Sequence, residues 1–367
     1  MKSLTLAVFS LLLLSGCSRD TYRNQYYVEV FATGTPSQVE EAIKIIPFKD
    51  GLENKFATER SGELTGLMLA AQSNSNIEVI SILINAGANV NARTDGAWSA
   101  LMYAANHNPR AISALISAGA NVNARNNEGY SPLIFAAANG HLEAVSLLLN
   151  AGADSSASAG RYGNTAMHDA ARMGHIEVVS ALLEAGQRTL MVNVENKGGA
   201  TPLMDARDVE TFSFLLNAGA NSNARDRVGN TALHYLARSR NPDRLQMAKL
   251  LLVARANMVN IQNNSGFTPL HSSMRVQAID PVFISLLLEY GASVHIVGRF
   301  DKTSPLILAV RGTTPGARAV ISLLLKAGAN VKVKDSDGKT ALDYAKENKY
   351  IYKTDAYWEL HDAFSNQ

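Results

Sequence analysis

One short sequence pattern recurs about eight times between residues 62 and 348, and it constrains the fold more than any other feature of the chain. It is clearest in 129–157 and 163–187, and 229–260 repeats it with changes. Its marker glycines follow at steps of 32 to 37 residues, with Arg255 at one such position, and they are Gly87, Gly119, Gly152, Gly186, Gly219, Gly291 and Gly328. A period near 33 residues is typical of a solenoid of helix pairs. The pattern therefore predicts an all-α solenoid, and it favours a binding surface over a catalytic pocket.

Each unit of the pattern indicates two helices and a loop. A Thr before Pro or a small residue predicts a helix N-cap, as at Thr165, Thr201, Thr231 and Thr268. A short Ala-rich helix follows, then a turn, then a second helix with apolar spacing. The next marker glycine suits a left-handed C-cap, and segments such as "NVNAR" then predict an extended finger. Because one unit cannot bury its helices alone, neighbouring units must stack.

The chain resembles the ankyrin-repeat family over roughly residues 62–348. The sequence T-P-L-H at 268–271, G-H at 140–141 and A-G-A-D at 151–154 match that family's start, turn and end. The resemblance implies an all-α solenoid of stacked helix pairs with extended β-hairpin-like fingers. It also implies that the finger tips and first helices line a concave groove that binds a protein. The unit at 198–225 departs from the pattern, because it is short and lacks the G-H turn.

The predicted domain organisation has three parts: a lipoprotein signal peptide (1–16), a lipidated tether (17–25) and one continuous solenoid (26–364). Residues 26–60 resemble a degenerate first repeat, with helices predicted at 28–33 and 37–46. Residues 335–364 start as a repeat and then turn polar, which predicts a C-terminal cap.

The first twenty residues contain a second strong signal. Lys2 precedes a short apolar run and then small residues before Cys17, as in a signal peptide rather than a membrane span. The sequence L-S-G-C at 14–17 resembles a bacterial lipobox, which implies cleavage before Cys17, lipid on its sulfur and acylation of its new amine. An ordinary signal peptide that happens to contain a cysteine is the alternative. Cys17 is the only cysteine of the chain, so no disulfide can form within it.

The lipobox resemblance also predicts a location. Sorted lipoproteins of Gram-negative bacteria carry a residue other than Asp after the cysteine when they go to the outer membrane, and Ser18 occupies that position here. The chain is therefore expected in the periplasm, lipid-anchored at the outer membrane, with the membrane contacted through the anchor only.

No constellation of an enzyme is visible in the sequence, which predicts a non-enzymatic protein without cofactor, metal site or small-molecule substrate. His141 and His175 match half of a zinc-deaminase signature, but the other half needs two cysteines. These histidines and three others, His168, His234 and His271, are predicted to hydrogen-bond to neighbouring backbone. Cleavage would leave 33 basic and 32 acidic side chains, since only Lys2 is lost. That balance gives no general field for nucleic acid.

The candidate binding residues are those that the repeat does not require. Aromatic side chains precede caps or lie in fingers, and they are Trp98, Tyr130, Tyr162, Phe267 and Phe300. Arginines recur at successive fingers, and they are Arg93, Arg125, Arg161, Arg227 and Arg299. Aromatic and Arg side chains are typical of interaction hot spots. The alternative is that the aromatics cover repeat interfaces and the arginines are merely solvated. Longer turns at 238–244, 275–281 and 311–318 suggest a second lobe of the site.

The combination of lipobox and solenoid resembles immunity lipoproteins encoded beside secreted lipase or phospholipase toxins of contact-dependent bacterial competition. The expected function is therefore binding and neutralisation of a folded lipase-type toxin. The alternative is a periplasmic ankyrin scaffold that supports an envelope or oxidative-stress enzyme. Binding of a small ligand or peptidoglycan is a weaker third class, because no pocket signature is visible.

Overall fold

The computed structural model describes residues 19–45, 56–58, 62–186, 188–254, 256–276, 279–313 and 316–366. They form two compact units, which we call unit one (up to residue 187) and unit two (from residue 188). The predicted signal peptide, Cys17 and Arg255 lie outside the described residues. Across the part of the chain that is described, none of the helices has the length and apolar character needed to span a bilayer.

Unit one consists of helix pairs and two small hairpins. Its α-helices are α1 (Arg19–Thr33), α2 (Pro36–Ile45), α3 (Gly66–Ser73), α4 (Ile77–Asn85), α5 (Ala100–His107), α6 (Ile112–Ser117), α7 (Pro132–Ala138), α8 (Leu142–Asn150), α9 (Ala166–Met173) and α10 (Ile176–Ala185), with a 3-10 turn at Pro109–Ala111. Its antiparallel strand pairs are β1 (Phe56–Thr58) with β2 (Gly62–Leu64), and β3 (Ser158–Ala159) with β4 (Asn164–Thr165).

Unit two begins with a short helix and continues with helix pairs. Its α-helices are α11 (Arg188–Val192), α12 (Pro202–Asp205), α13 (Val209–Asn217), α14 (Ala232–Arg238), α15 (Arg244–Ala254), α16 (Pro269–Met274), α17 (Pro281–Glu289), α18 (Pro305–Arg311), α19 (Gly316–Lys326), α20 (Ala341–Glu347) and α21 (Asp355–Asn366), with a 3-10 turn at Ala256–Asn260.

The helices of each unit pack in two rows. In unit one the first helices α1, α3, α5, α7 and α9 each contact the next, and α2, α4, α6, α8 and α10 form the second row. In unit two the first row is α12, α14, α16, α18 and α20, and the second row is α13, α15, α17, α19 and α21. This is the predicted all-α solenoid of stacked helix pairs, and the prediction is confirmed.

Ser and Thr side chains fix where the first helices begin. The hydroxyl of Ser99 accepts a hydrogen bond from the Met102 backbone N–H at 3.3 Å, and Ser131 accepts from Ile134 at 3.4 Å. These bonds satisfy amides that the first helical turn leaves without carbonyl partners. Thr201 also occupies an N-cap position, but its hydroxyl has no hydrogen-bond partner among the described residues.

The core of each repeat is made of small side chains on the first helix and larger ones on the second. Ala136 and Ala137 of α7 are fully buried, and so are Val145 and Leu148 of α8. Small side chains let the first helices approach closely, while the second helices contribute most of the buried apolar volume. The sequence pattern predicted both features.

The fingers are held to one another by backbone hydrogen bonds. The tip of one finger closes with a bond from the Asn126 N–H to the Tyr130 carbonyl at 3.0 Å. The next residue, Asn127, donates its N–H to the Gly96 carbonyl of the preceding finger at 3.0 Å, and Gly160 donates to Glu128 at 2.9 Å. Within the described ranges β1–β2 and β3–β4 are the finger segments with paired strands, so the hairpin-like shape of the other fingers comes from closed turns.

The degenerate first repeat is longer than predicted. Its first helix begins at Arg19 instead of residue 28, so residues 19–25 of the predicted tether are helical. The helix supplies Tyr27 and Phe31, whose rings lie 5.4 and 5.5 Å from the ring of Phe56. This aromatic core stabilises a helix that shows no clear repeat motif.

Six of the marker glycines adopt the predicted left-handed C-cap, with φ between 82° and 96°. Gly186 does not, because its φ is −110° and its ψ is −176°. Helix α11 follows Gly186 almost immediately, whereas a finger follows the other glycines. The prediction of a left-handed cap is therefore wrong at Gly186, next to the boundary between the two units.

Candidate functional site

Four aromatic side chains of unit one form a continuous stack, which we call the aromatic cluster: Trp98, Tyr103, Tyr130 and Phe135. The Phe135 ring lies between Trp98 and Tyr130, with centroid distances of 4.5 and 5.3 Å. Tyr103 lies 5.0 Å from Trp98 and is buried, whereas the other three side chains are half-buried. The cluster therefore presents fixed aromatic surface to solvent.

The repeat itself brings these rings together. Trp98 and Tyr130 directly precede the caps Ser99 and Ser131, while Tyr103 and Phe135 follow those caps by four residues. Helices α5 and α7 pack against each other. Because they do, the ring of Trp98 contacts both Tyr103 of its own repeat and Phe135 of the next repeat. The sequence predicted Trp98 and Tyr130 but missed Tyr103 and Phe135, although an aromatic four residues after a cap was visible in both repeats.

A groove of about 510 Å³ borders the cluster. Its floor includes Trp98, Tyr130 and Phe135, and its rim carries Asn106, Asn139, Glu128, Arg172 and the half-exposed Met173. Asn139 donates to the Asn106 side-chain oxygen at 2.9 Å. The groove thus combines apolar rings with amide and charged groups around them, which is the usual composition of a protein-binding hot spot.

Charged groups at one end of the groove are paired with each other. The Arg172 guanidinium donates to the Asp169 carboxylate at 2.7 Å, and Asp169 is almost fully buried. Burial, and then the nearby Asp169 and Glu128 carboxylates, raise the pKa of the Tyr130 hydroxyl above its ordinary value. The Tyr130 hydroxyl is therefore neutral at physiological pH and can donate a hydrogen bond to a bound molecule.

The other predicted aromatics lie elsewhere. Tyr162 and Phe300 are at finger positions and are 68% and 74% exposed. Phe267 is only 9% exposed, stacks on His271 at 5.4 Å and lies beneath Arg275 at 4.9 Å. The structure therefore brings together Trp98 and Tyr130, while most of the Phe267 surface is used in packing within its own repeat.

The predicted finger arginines divide into two groups. Arg93 donates to the carbonyl oxygen of Arg125, and Arg125 faces Asp154 of the following finger at 4.0 Å. These two side chains tie one finger to the next. The remaining side chains are exposed at their fingers, and they are Arg161, Arg227 and Arg299.

The histidines have structural roles. In each of three repeats the His Nδ1 accepts from the backbone N–H of the capping Thr three residues earlier, at 3.4 Å for His168, 3.1 Å for His234 and 3.3 Å for His271. The Nε2 of His175 lies 3.2 Å from the Ala138 carbonyl. The predicted bonding of these histidines to backbone is confirmed. In the described part of the chain, no group of His, Cys, Asp and Glu side chains has the arrangement of a metal site.

Unit two contains a second cleft, of about 590 Å³, that the sequence did not predict. It lies where α12 ends after four residues, beside α14. Its lining includes Met204, Arg207, Tyr235 and Arg238. The missing helical turn leaves the space that longer first helices fill in other repeats. The short unit at 198–225 was the signal that could have located it.

Asp226 forms the polar wall of this cleft. Its carboxylate accepts from the Tyr235 hydroxyl at 2.9 Å and from the Asn230 backbone N–H at 2.7 Å, with further bonds from Val228 and the Asn230 side chain. Burial and the adjacent Asp226 raise the pKa of Tyr235. Because all of its acceptor positions are used, Asp226 is part of the scaffold and not an open anionic site.

Comparison with known proteins gives consistent matches. The model of the family described as ankyrin repeats (3 copies) matches overlapping stretches of the chain, at 38–126, 67–159, 106–191, 157–226 and 203–297. The Neurogenic locus notch homolog protein 1 of Xenopus laevis is 37% identical over 172 residues, which cover 42% of this chain and 6% of that protein. The B-cell lymphoma 3 protein homolog of Mus musculus is 33% identical over 157 residues, or 42% of this chain and 34% of that protein.

Among solved structures, the human ASB11 ankyrin repeat domain superposes with a TM-score of 0.50 and 29% sequence identity. The similarity covers 64% of this chain and 98% of that domain. The chain spans 6% of the length of the notch protein and 34% of the length of the B-cell lymphoma 3 homolog.

Proposed function

Since the chain belongs to the ankyrin-repeat family, whose members are generally non-enzymatic scaffolds for protein–protein interaction, we propose that it binds a folded protein through the aromatic cluster of unit one. The observation that carries this proposal is the stack of Trp98, Phe135 and Tyr130 beside the groove, at 4.5 and 5.3 Å.

The stack favours binding because its rings are already fixed. Association costs about 0.5–1.5 kcal/mol for each flexible side chain that it immobilises. Trp98 and Tyr130 are held against Phe135 in the free protein, so most of this cost is absent. The amides of Asn106 and Asn139 border the rings and offer hydrogen bonds to a bound surface. Buried aromatic anchors of this kind contribute about 2 kcal/mol or more each.

The proposal includes attachment to the envelope through Cys17, with the protein facing the periplasm at the outer membrane. Its support is the L-S-G-C motif at 14–17, the short apolar run before it and Ser18 after it. Two or more acyl chains anchor a protein stably, whereas one is marginal. Labelling cells with a clickable fatty acid tests the anchor: wild type should be labelled and Cys17→Ala should not. Equal label on both would reject it.

The proposed partner is a lipase-type toxin, which the chain would neutralise as an immunity protein. The support is architectural: a lipid anchor places the repeats at the membrane where a phospholipid-degrading toxin acts, and a curved repeat surface can cover an enzyme's entrance without chemistry of its own. A periplasmic scaffold for an envelope enzyme is the alternative. Cells that lack this gene should die on exposure to the toxin encoded beside it. Survival equal to wild type would reject the immunity function and favour the scaffold function.

The binding itself is tested by calorimetric titration against the protein encoded by the neighbouring gene. Trp98→Ala combined with Tyr130→Ala should weaken the complex by well over tenfold while the helical circular dichroism stays unchanged. The matched control is Tyr162→Ala, which removes an exposed ring of unit one outside the cluster. If the control loses as much affinity as the double variant, the site is not the aromatic cluster.

A further inference from the structure

Three arginines of unit two occupy one register of the repeat, and we call them the basic stripe: Arg238, Arg275 and Arg311. Each lies seven residues after the cap of its first helix, at the C-terminal end of α14, α16 or α18. These helices pack side by side in the order α14, α16, α18. One guanidinium per repeat is therefore presented along the same row of helix ends.

The guanidinium donors of the stripe are not used inside the protein. All three side chains are exposed, and their guanidinium groups form no hydrogen bond or salt bridge with any residue that the structure describes. Arg244, six residues beyond Arg238, is different: it pairs with Asp280 at 2.5 Å and also contacts the Ser239 carbonyl. Each of the three arginines lies at a helix C-terminus, which favours a cation, and each keeps its donors open to solvent.

Two of the arginines are held in place by aromatic rings. Arg275 lies 4.9 Å above the ring of Phe267, and Arg311 lies 5.2 Å above the ring of Tyr344. Stacking orders a guanidinium without occupying its N–H donors. The fork of donors is therefore presented to solvent, ready for a carboxylate.

The acidic groups close to the stripe are occupied. Asp226 accepts from Tyr235, and Asp335 accepts from the Tyr344 hydroxyl at 2.6 Å and from the backbone N–H groups of Asp337 and Lys339. Glu347 receives the Lys339 ammonium at 2.8 Å. The Arg311 charge acts on Asp335, but none of these carboxylates accepts a hydrogen bond from the stripe, so its guanidinium donors stay open for a partner.

The spacing of the stripe selects the form of that partner. Packed helices lie about 8–10 Å apart, which sets the distance from one arginine to the next. An extended segment in the polyproline II conformation advances about 3.1 Å per residue with three residues per turn, so every third side chain recurs on the same face at about the same distance. The cleft beside α14 has Arg238 in its lining and has room for a side chain at that end of the row.

We propose that the basic stripe binds an extended acidic segment of a partner protein, with a carboxylate at every third residue facing Arg238, Arg275 and Arg311 in turn. This inference rests on the proposed function as a protein-binding scaffold and adds the chemistry of the partner segment. The three arginines are the first residues of the longer turns that the sequence suggested as a second lobe of the binding site.

The test is fluorescence anisotropy of the purified full-length protein with two labelled peptides of one composition. In the first, Glu occupies every third position between Gly and Ser; in the second, the same Glu residues are consecutive. The first peptide should bind more tightly, and its affinity should fall between 50 and 500 mM NaCl, because exposed ion pairs are screened by salt. Equal affinity for both peptides would overturn the register that we propose.

The variant Arg238→Gln, Arg275→Gln, Arg311→Gln should raise the Kd for the spaced peptide by about tenfold or more. The matched control removes three exposed cations of unit two outside the stripe: Lys249→Gln, Lys326→Gln and Lys334→Gln. It should change the Kd less than twofold. Equal loss in both variants would show general charge attraction and would overturn the proposal.

Two further arms separate this inference from the other possibilities. Single-stranded DNA of equal charge should bind more weakly than the spaced peptide, and equal or tighter binding would assign the stripe to nucleic acid instead. The variant with Trp98→Ala and Tyr130→Ala should bind the spaced peptide as wild type does, because its changes lie in unit one. The proposal for the stripe and the proposal for the aromatic cluster can therefore be rejected independently.

Discussion

His271 illustrates how a single position sets the start of a helix and couples it to pH. Its Nδ1 accepts the Thr268 backbone N–H at 3.3 Å and lies 2.8 Å from the Thr268 hydroxyl, and the ring is fully buried. Burial lowers the pKa of His271 to about 4, although the Thr303 and Ile296 carbonyls partly offset it. The imidazole must therefore be neutral in the folded protein.

This gives a prediction about acid stability. An exposed His has a pKa of about 6.5, so the unfolded chain binds more protons than the folded chain between about pH 6.5 and pH 4. The free energy of unfolding should fall through that window as pH drops, by roughly 3 kcal/mol from His271. Its contribution is complete above pH 6.5.

The matched variant is His271→Met, because Met occupies the equivalent position, three residues after the N-cap, at Met68, Met102 and Met204. Urea unfolding at pH 7.5 and pH 4.5 gives the two free energies of unfolding. The difference between them should be smaller in His271→Met than in wild type. An identical pH dependence in the two proteins would show that His271 is not the acid-sensitive group.

A second residue-scale prediction concerns the turn glycines. Gly140 has a φ of 72°, and a Cβ built on it would lie 2.7 Å from the His175 ring of the next repeat. Gly152 has a φ of 84° but nothing within 4 Å of such a Cβ. Gly152→Ala should cost about 1–2 kcal/mol of left-handed backbone strain. Gly140→Ala should cost more, because the His175 ring must also move, and equal urea midpoints would contradict this.

At the scale of elements, stability comes from helices that pack on their neighbours in both rows. Leu148 of α8 is fully buried, and α8 contacts both α6 and α10. Stacked repeats gain most of their stability from such neighbour interfaces. A change inside one helix should therefore weaken its own repeat and the adjoining repeats more than distant ones.

We therefore expect Leu148→Ala to cost roughly 2–5 kcal/mol. Arg125→Ala should cost within about 0.5 kcal/mol, since the Arg125 side chain is 45% exposed and its contact with Asp154 is 4.0 Å long. Urea denaturation measures both changes. Amide hydrogen exchange should show lost protection in α6, α8 and α10 before α1. A uniform loss along unit one would mean that it unfolds as one block.

The sequence could predict these elements because the repeat period, the Ser and Thr caps and the apolar spacing are all local signals. It could not predict that α1 starts at Arg19, since the roles of Tyr27 and Phe31 depend on contact with Phe56. For the site, Trp98 and Tyr130 were visible as residues that the repeat does not need. Phe135 was missed because an apolar residue inside a first helix looks like core until its neighbours are known.

At the scale of the whole molecule, the two units carry surfaces of different chemistry. Unit one presents the aromatic cluster and unit two presents the basic stripe, while the formal net charge of the chain is only +2. Each surface consists of side chains that one or two registers of the repeat bring together. This explains how one repeated framework supports a specific contact: the repeat positions the side chains, and substitutions at a few registers determine what they bind.

The protein-binding role that we propose for the aromatic cluster can be tested in cells. Its most direct test is photo-crosslinking in cells with a benzophenone amino acid placed at Phe135, and with the same group at Leu190, a 66% exposed residue of unit two, as control. We predict one discrete protein adduct at position 135, its loss on adding Trp98→Ala, and no such adduct at position 190. An adduct at 190 but not at 135, or one at 135 that Trp98→Ala leaves unchanged, would contradict the proposed role.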